Sequence, residues 1–506
     1  MKVNQLKAGV ILSYVSEAIT ILSGLIYTPI MLRLLGQNQY GLYQLASSVI
    51  SYLGILSMGF GASYVRYYAR YKVKDDLEGV AKLNGMFMTI FIVIGIISAL
   101  AGSVLIANTG LIFHNSLSVE EIKTAKILLT FMVFNLTISF PGSVFTSHIT
   151  ANEQYVFQRV VNILRSILNP FLTLPLLLMG FKSVGLVVIQ TILSLAAFLA
   201  NFVFCRKKLK MTFDFKKFEW SFLIELFMFS FWIFLNQIID RINWSVDNFI
   251  LGMFRGTTAV AVYGVASQLN SMYLTFSTSI SGVFVPRVNN LVAKCSDNKL
   301  LTDLFTRVGR IQFIVLTLII SGLTIFGRYF IQIWAGEEYW ESYRIALLLT
   351  IPLTIPLIQN LGVEIQRAKN LHKFRSIIYF IVAVLNVIIS IPLVKQFGGT
   401  GAAIGTALSL LIGNGLIMNI LYHKMIGLDV IYFWKQIARF VPALIAPLLA
   451  GVIVMKYLTI NNIFIFFGFI ALYTLIYCVS MWLFGMNDEE KILIRKPLKR
   501  ILKGVH

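Results

Sequence analysis

Apolar windows of about 20 residues, the length needed to cross roughly 30 Å of hydrocarbon, recur from residue 8 to residue 484. No soluble fold tolerates so many, because each would have to be buried inside one core. The sequence predicts fourteen spans, at 8–35, 38–64, 83–107, 124–148, 158–180, 184–205, 219–254, 257–286, 308–330, 343–363, 374–394, 399–422, 435–457 and 462–485. Of the 506 residues 58% are hydrophobic and only 13% charged, far from the composition of a soluble domain. The fold class expected is therefore an all-α polytopic membrane protein. The first apolar stretch is too long for a cleavable signal and lacks a small-residue cleavage site, so it reads as the first span.

The net charge of +21 is divided into short runs between spans and forms no single face, which argues against nucleic acid. Every second loop is basic. One run holds Arg66, Arg70, Lys72, Lys74 and Lys82, and another holds Arg206, Lys207, Lys208, Lys210, Lys216 and Lys217. A third holds Arg287, Lys294, Lys299, Arg307 and Arg310, and a fourth Arg367, Lys369, Lys373 and Arg375. Alternate loops include the acidic pairs Glu120-Glu121 and Glu337-Glu338. Positive loops stay in the cytoplasm, so both termini are expected there, as an even span count requires. Cys205, Cys295 and Cys478 have neither metal-ligand spacing nor an obvious pairing partner.

The chain also repeats itself. Moved by 220 residues, Gly36, Tyr43, Ala46 and Ser47 fall on Gly256, Tyr263, Ala266 and Ser267. A shift of 217 sets Phe157, Asn169 and Pro175 on Phe374, Asn386 and Pro392, and a shift of 215 sets Thr191-Ile192-Leu193-Ser194-Leu195 on Thr406-Ala407-Leu408-Ser409-Leu410. Six spans separate the copies, so the repeat is parallel. The organisation expected is a lobe over 1–217 (six helices), a second over 218–425 (six helices), two further helices over 426–485 and a basic tail over 486–506, with the working site between the lobes. The tail alternates cations from Lys491 to Lys503 with Ile492, Leu493, Leu498, Ile501 and Leu502, the pattern of an amphipathic helix on an anionic leaflet.

Charge within a span is costly and marks candidate function. The seventh span has the densest polar set: Asn236, Asp240, Asn243 and Asp247 recur at intervals of four, three and four, on one face, with Arg241 beside it. Glu17, Arg165, Glu225, Glu364 and Arg367 are the other charges within or near spans. Arg165, Arg367 and Glu225 lie close enough to a boundary to snorkel, and Arg33 and Arg255 can serve as interface anchors.

Several motifs carry a family likeness. They are Pro29-Ile30-Met31-Leu32-Arg33-Leu34-Leu35-Gly36 running into Tyr40-Gly41-Leu42-Tyr43, then Gly59-Phe60-Gly61-Ala62-Ser63-Tyr64-Val65-Arg66, then Asp247-Asn248-Phe249-Ile250-Leu251-Gly252 leading to Val262-Tyr263-Gly264. With these the chain resembles the oligosaccharide (Wzx-type) flippases of the multidrug/oligosaccharidyl-lipid/polysaccharide exporter superfamily. The resemblance implies two lobes forming a V that alternates between inward-open and outward-open states. It also implies a multi-pass protein of the bacterial inner membrane that moves undecaprenyl-pyrophosphate-linked oligosaccharide to the outer leaflet, contacting membrane lipids and serving polysaccharide polymerase machinery. Arginines suit such a cargo, since the planar guanidinium matches phosphate oxygens. Arg33, Arg66, Arg165 and Arg241 are the candidates for binding it.

The same resemblance implies an ion site among the seventh, eleventh and twelfth spans, holding Na+ or replaced by a proton on the acid. Its matching residues here are Asp240 or Asp247, Asn386, Ser390 and Thr406; a second acid of the relative corresponds to Ser390, which lowers the charge of the site. The competing transporter reading is a cation-coupled multidrug exporter of the same fold. An enzyme is not expected, because the external loops are short, the longest being about 17 residues near 107–123. There is also no phosphate-binding glycine-lysine loop, and the five His do not cluster.

Overall fold

A computed structural model of the chain describes residues 5–216, 220–294, 297–369, 371–457, 463–493 and 495. Cys295 and most of the proposed amphipathic tail lie outside them. Among the described residues the regular structure is helical throughout. Eleven segments are long and apolar enough to cross a membrane. Three of these contain a glycine with non-helical backbone: Gly36 in α1 (Gln5–Leu53), Gly256 in α7 (Trp220–Gly282) and Gly398 in α12 (His372–Leu410). Each glycine reverses the chain between two spans, so the count is consistent with the fourteen expected.

Gly36 has φ 71° and ψ 168°, and Gly256 has φ 79° and ψ −172°. The two residues that the 220-residue shift superimposes thus make the same left-handed break, which a side chain would strain. Gly398 (φ 58°) and Gly180 (φ 87°), which lies between α5 (Tyr155–Leu178) and α6 (Lys182–Lys207), likewise fall within one residue of each other under the 217 shift. The repeat is one of backbone conformation as well as sequence.

Packing divides the chain into two compact units. The first comprises Met1–Gly264 and Val387–Ala402. Its interior is aromatic: Phe60 on α2 (Phe60–Val73), Phe87 and Phe91 on α3 (Leu77–Ile112), and Phe145 on α4 (Val119–Ala151) are all buried. Tyr64 meets Phe87 edge-on at 5.2 Å. Within this unit α7 is joined to earlier helices by polar contacts along its length. Tyr67 donates to Glu225 (2.9 Å), the Ser63 and Ser230 hydroxyls pair (2.9 Å), Ser116 donates to the Gly252 carbonyl (2.6 Å), and Thr257 donates to Glu121 (2.9 Å). A Cβ on Gly41 would stand 2.0 Å from the Thr257 carbonyl oxygen, so only glycine permits that approach.

Arg255 is a helix cap. Its guanidinium donates to the carbonyls of Val394 (3.0 Å), Lys395 (2.5 Å) and Gln396 (2.9 Å), the orphan acceptors just before the Gly398 break.

The second unit comprises Val265–Asn386 and Ala403–His506. Phe305 on α9 (Asn298–Trp334), Tyr422, and Phe433 on α14 (Val430–Ala438) centre its core, the Phe305 and Phe433 rings lying 4.6 Å apart. Arg310 corrects the sequence reading. Counted there among cytoplasmic loop charges, it is 4% exposed on α9 and grips Glu490, also 4% exposed, through two contacts of 2.6 and 2.9 Å. It also donates to the carbonyls of Gln436 (2.7 Å) and Gly485 (3.0 Å) and stacks on Phe440 at 4.3 Å. All its hydrogen-bonding nitrogens are therefore satisfied, the condition under which a buried charge is tolerable.

Removing one member of this pair leaves a buried uncompensated charge. Glu490→Gln is expected to destabilise the second unit by about 3–5 kcal/mol, whereas Arg310→Met combined with Glu490→Leu costs much less. Thermal melting of the purified chain in detergent compares the two; equal losses would contradict the assignment.

Candidate functional site

The first unit encloses a cavity of about 500 Å³ bounded by α1, α4, α5, α6 and α7. Two cations reach it, Arg165 from α5 and Arg241 from α7. Arg165 is fixed by a 2.8 Å hydrogen bond to Ser194 on α6. The remaining polar wall is neutral and includes Asn135, Ser139 and Ser143 from α4, and Gln190 and Asn201 from α6. Asn135 is held by Thr191 at 2.9 Å. Among the described residues the lining contains no carboxylate.

One wall is irregular. After Leu53 the chain tightens into a 3₁₀ turn at Gly54–Ser57, then passes Met58 (φ 47°) and Gly59 (φ 70°) before α2 begins. Gly54 lines the cavity. Non-helical backbone at membrane depth is tolerated where it lines a cavity or is buried in protein. The second span expected from sequence runs unbroken over 38–64, and the structure interrupts it here. The glycines at 54, 59 and 61 were the available signal.

Of the four arginines singled out from sequence, the structure thus brings Arg165 and Arg241 together. Arg33 on α1 and Arg66 on α2 are exposed and do not line the cavity. Glu17 is exposed and also outside the lining. Glu225 accepts from Tyr67 and lies 3.6 Å from Arg70, and Arg367 pairs with Glu364 at 2.8 Å, so these charges hold local structure.

Of the residues named for ion coupling, Asp247 is 3% exposed and accepts a 2.5 Å hydrogen bond from Tyr263. Asn386 is 1%, Ser390 0% and Thr406 7% exposed. Asn386 and Ser390 stand one turn apart on α12. The side chains of Asn236, Asp240 and Asn243 lie outside the described residues.

Residues 6–292 match the family model described as "Polysaccharide biosynthesis protein". The chain is 23% identical over 413 residues to the "Putative O-antigen transporter" of Shigella flexneri, covering 78% of this chain and 92% of that one. Among solved structures, the lipid II flippase MurJ in an inward closed conformation superposes with a TM-score of 0.72 at 17% identity, covering 93% of this chain and 97% of MurJ. An inward-facing multidrug resistance MATE family transporter superposes at 0.66 and 14% identity, covering 83% and 96%. The fold is common to flippase and drug exporter, so it cannot by itself choose between them. The match to more than half the chain does decide the family: this is a multi-pass membrane protein belonging to the family described as "Polysaccharide biosynthesis protein".

Proposed function

We propose that the chain carries undecaprenyl-pyrophosphate-linked oligosaccharide repeat units from the cytoplasmic to the outer leaflet of a bacterial inner membrane. The observation that carries this reading is the cavity lining, with two arginines and, among the described residues, no acid. An organic cation would be repelled there, so the lining favours an anionic cargo over that of a multidrug exporter. A pyrophosphate instead meets two guanidinium forks. The neutral amides and hydroxyls around them suit sugar hydroxyls. The isoprenoid tail remains in lipid. In this reading the lobes 1–217 and 218–425 alternate, both termini are cytoplasmic, as the basic loops favour, and polysaccharide polymerase machinery receives the cargo.

Coupling is assigned to Asp247, or Asp240, with Asn386, Ser390 and Thr406. By type, a carboxylate and neutral oxygens suit Na+, and the carboxylate alone suits a proton. When bound, the ion neutralises the acid. The carboxylate then biases the lobes differently when liganded and when charged, which links ion entry to cargo exit. Tyr263 fixes one Asp247 oxygen and so orients the other.

Two outcomes test this reading. In proteoliposomes loaded with lipid-linked repeat units, Arg165→Ala and Arg241→Ala should each lower transport roughly tenfold to hundredfold, the worth of a charge-assisted contact; unchanged rates in both would contradict the cargo assignment. With sodium and pH gradients varied, Asp247→Asn or Asp240→Asn should abolish the wild type's gradient dependence. If wild-type transport ignores both gradients and both variants transport normally, the acids are structural.

A further inference from the structure

A smaller pocket of about 130 Å³ opens beside the main cavity. Tyr27, Tyr43, Asn169, Gln190 and Arg165 line it, with Met31, Leu186 and Leu193 as apolar wall. Arg165 and Gln190 line both spaces, so they form the partition. The Tyr27 hydroxyl is buried on the pocket wall, with Thr173 beside it. Thr173, one turn from Asn169, donates to Asn169 at 3.4 Å.

The internal repeat gives this pocket a counterpart. The 220-residue shift lays Tyr27 on Asp247 and Tyr43 on Tyr263, the 217 shift lays Asn169 on Asn386 and Thr173 on Ser390, and the 215 shift lays Thr191 on Thr406. The second copy therefore holds the residues assigned to ion coupling where the first holds the pocket. In the second copy the tyrosine closes on a carboxylate, Tyr263 to Asp247 at 2.5 Å. In the first copy Tyr27 stands in place of the carboxylate, and among the described residues the pocket lining has no anion to bind a cation.

We infer that this space is a saccharide subsite that takes the sugar ring joined directly to the pyrophosphate. The inference rests on the cargo reading above. Tyrosine side chains supply apolar ring faces for the C–H face of a pyranose, and the Asn169 and Gln190 amides supply both donors and acceptors for its hydroxyl or acetamido groups. The Tyr27 hydroxyl is a further polar group on the pocket wall. The placement also agrees with covalent order. A phosphate held on the cavity side of Arg165 puts its attached ring at the partition, and the pocket's size admits one ring and not a chain. The subsite would then select the first sugar, while the remainder of the repeat unit occupies the larger cavity.

The test uses the full-length chain in nanodiscs and equilibrium binding of five probes, with undecaprenol as the reference. These are undecaprenyl pyrophosphate alone and the same lipid bearing glucose, galactose, N-acetylglucosamine or N-acetylgalactosamine. At least one sugar-bearing lipid should bind at least tenfold more tightly than the bare lipid. Asn169→Ala and Tyr27→Phe, which touch only the small pocket, should erase that preference while binding bare lipid within twofold of wild type. Arg165→Ala should weaken all five. Equal binding of all five probes by the wild type would overturn the subsite, as would variants that weaken bare and sugar-bearing lipid alike. Bare lipid binding no better than undecaprenol would overturn the cargo reading itself, and the subsite with it.

Discussion

The hydrocarbon core of a bilayer offers no water to a backbone amide, so every N–H and C=O in the crossing segments must be satisfied within the protein. This constraint makes the chain helical throughout its described residues and dictates how helices end. The three broken helices turn at glycines, and Arg255 places its guanidinium on the carbonyls left open before Gly398. The same constraint explains why the unwound stretch at Gly54–Gly59 lies beside the cavity.

Charge on the helices follows the same accounting. Arg310 is surrounded by two carboxylate oxygens, two carbonyls and an aromatic face, and it serves as structure. Arg165 makes one side-chain hydrogen bond and presents the rest of its fork to a cavity. The distinction between a charge that holds the protein together and one available to a ligand thus rests on surrounding partners, which sequence position does not reveal. It also frames the divergence of the two repeats. Tyr263 and Asp247 satisfy each other in the second copy, whereas Tyr43 and Tyr27 border open space in the first.

Much of this was legible in the sequence because hydropathy and glycine placement act locally. The helical spans and the repeat that pairs Gly36 with Gly256 need no knowledge of neighbours. The cationic character of the cavity is legible as well, but the membership is not: all four arginines match phosphate oxygens by type, and which of them line the cavity depends on packing that has no local signal. Arg310 and Glu490 are 180 residues apart, so their pairing had no local signature. The break at Gly54–Gly59 went unread because the apolar window around it scores as one continuous span.

The central claim is that Arg165 and Arg241 jointly receive the pyrophosphate of a lipid-linked oligosaccharide. The most direct measurement is an electron cryomicroscopy structure of the chain in nanodiscs with that lipid bound. The account predicts pyrophosphate density within hydrogen-bonding reach, about 2.7–2.9 Å, of both guanidinium groups. Density for the headgroup away from both arginines, with the cavity vacant, would contradict it.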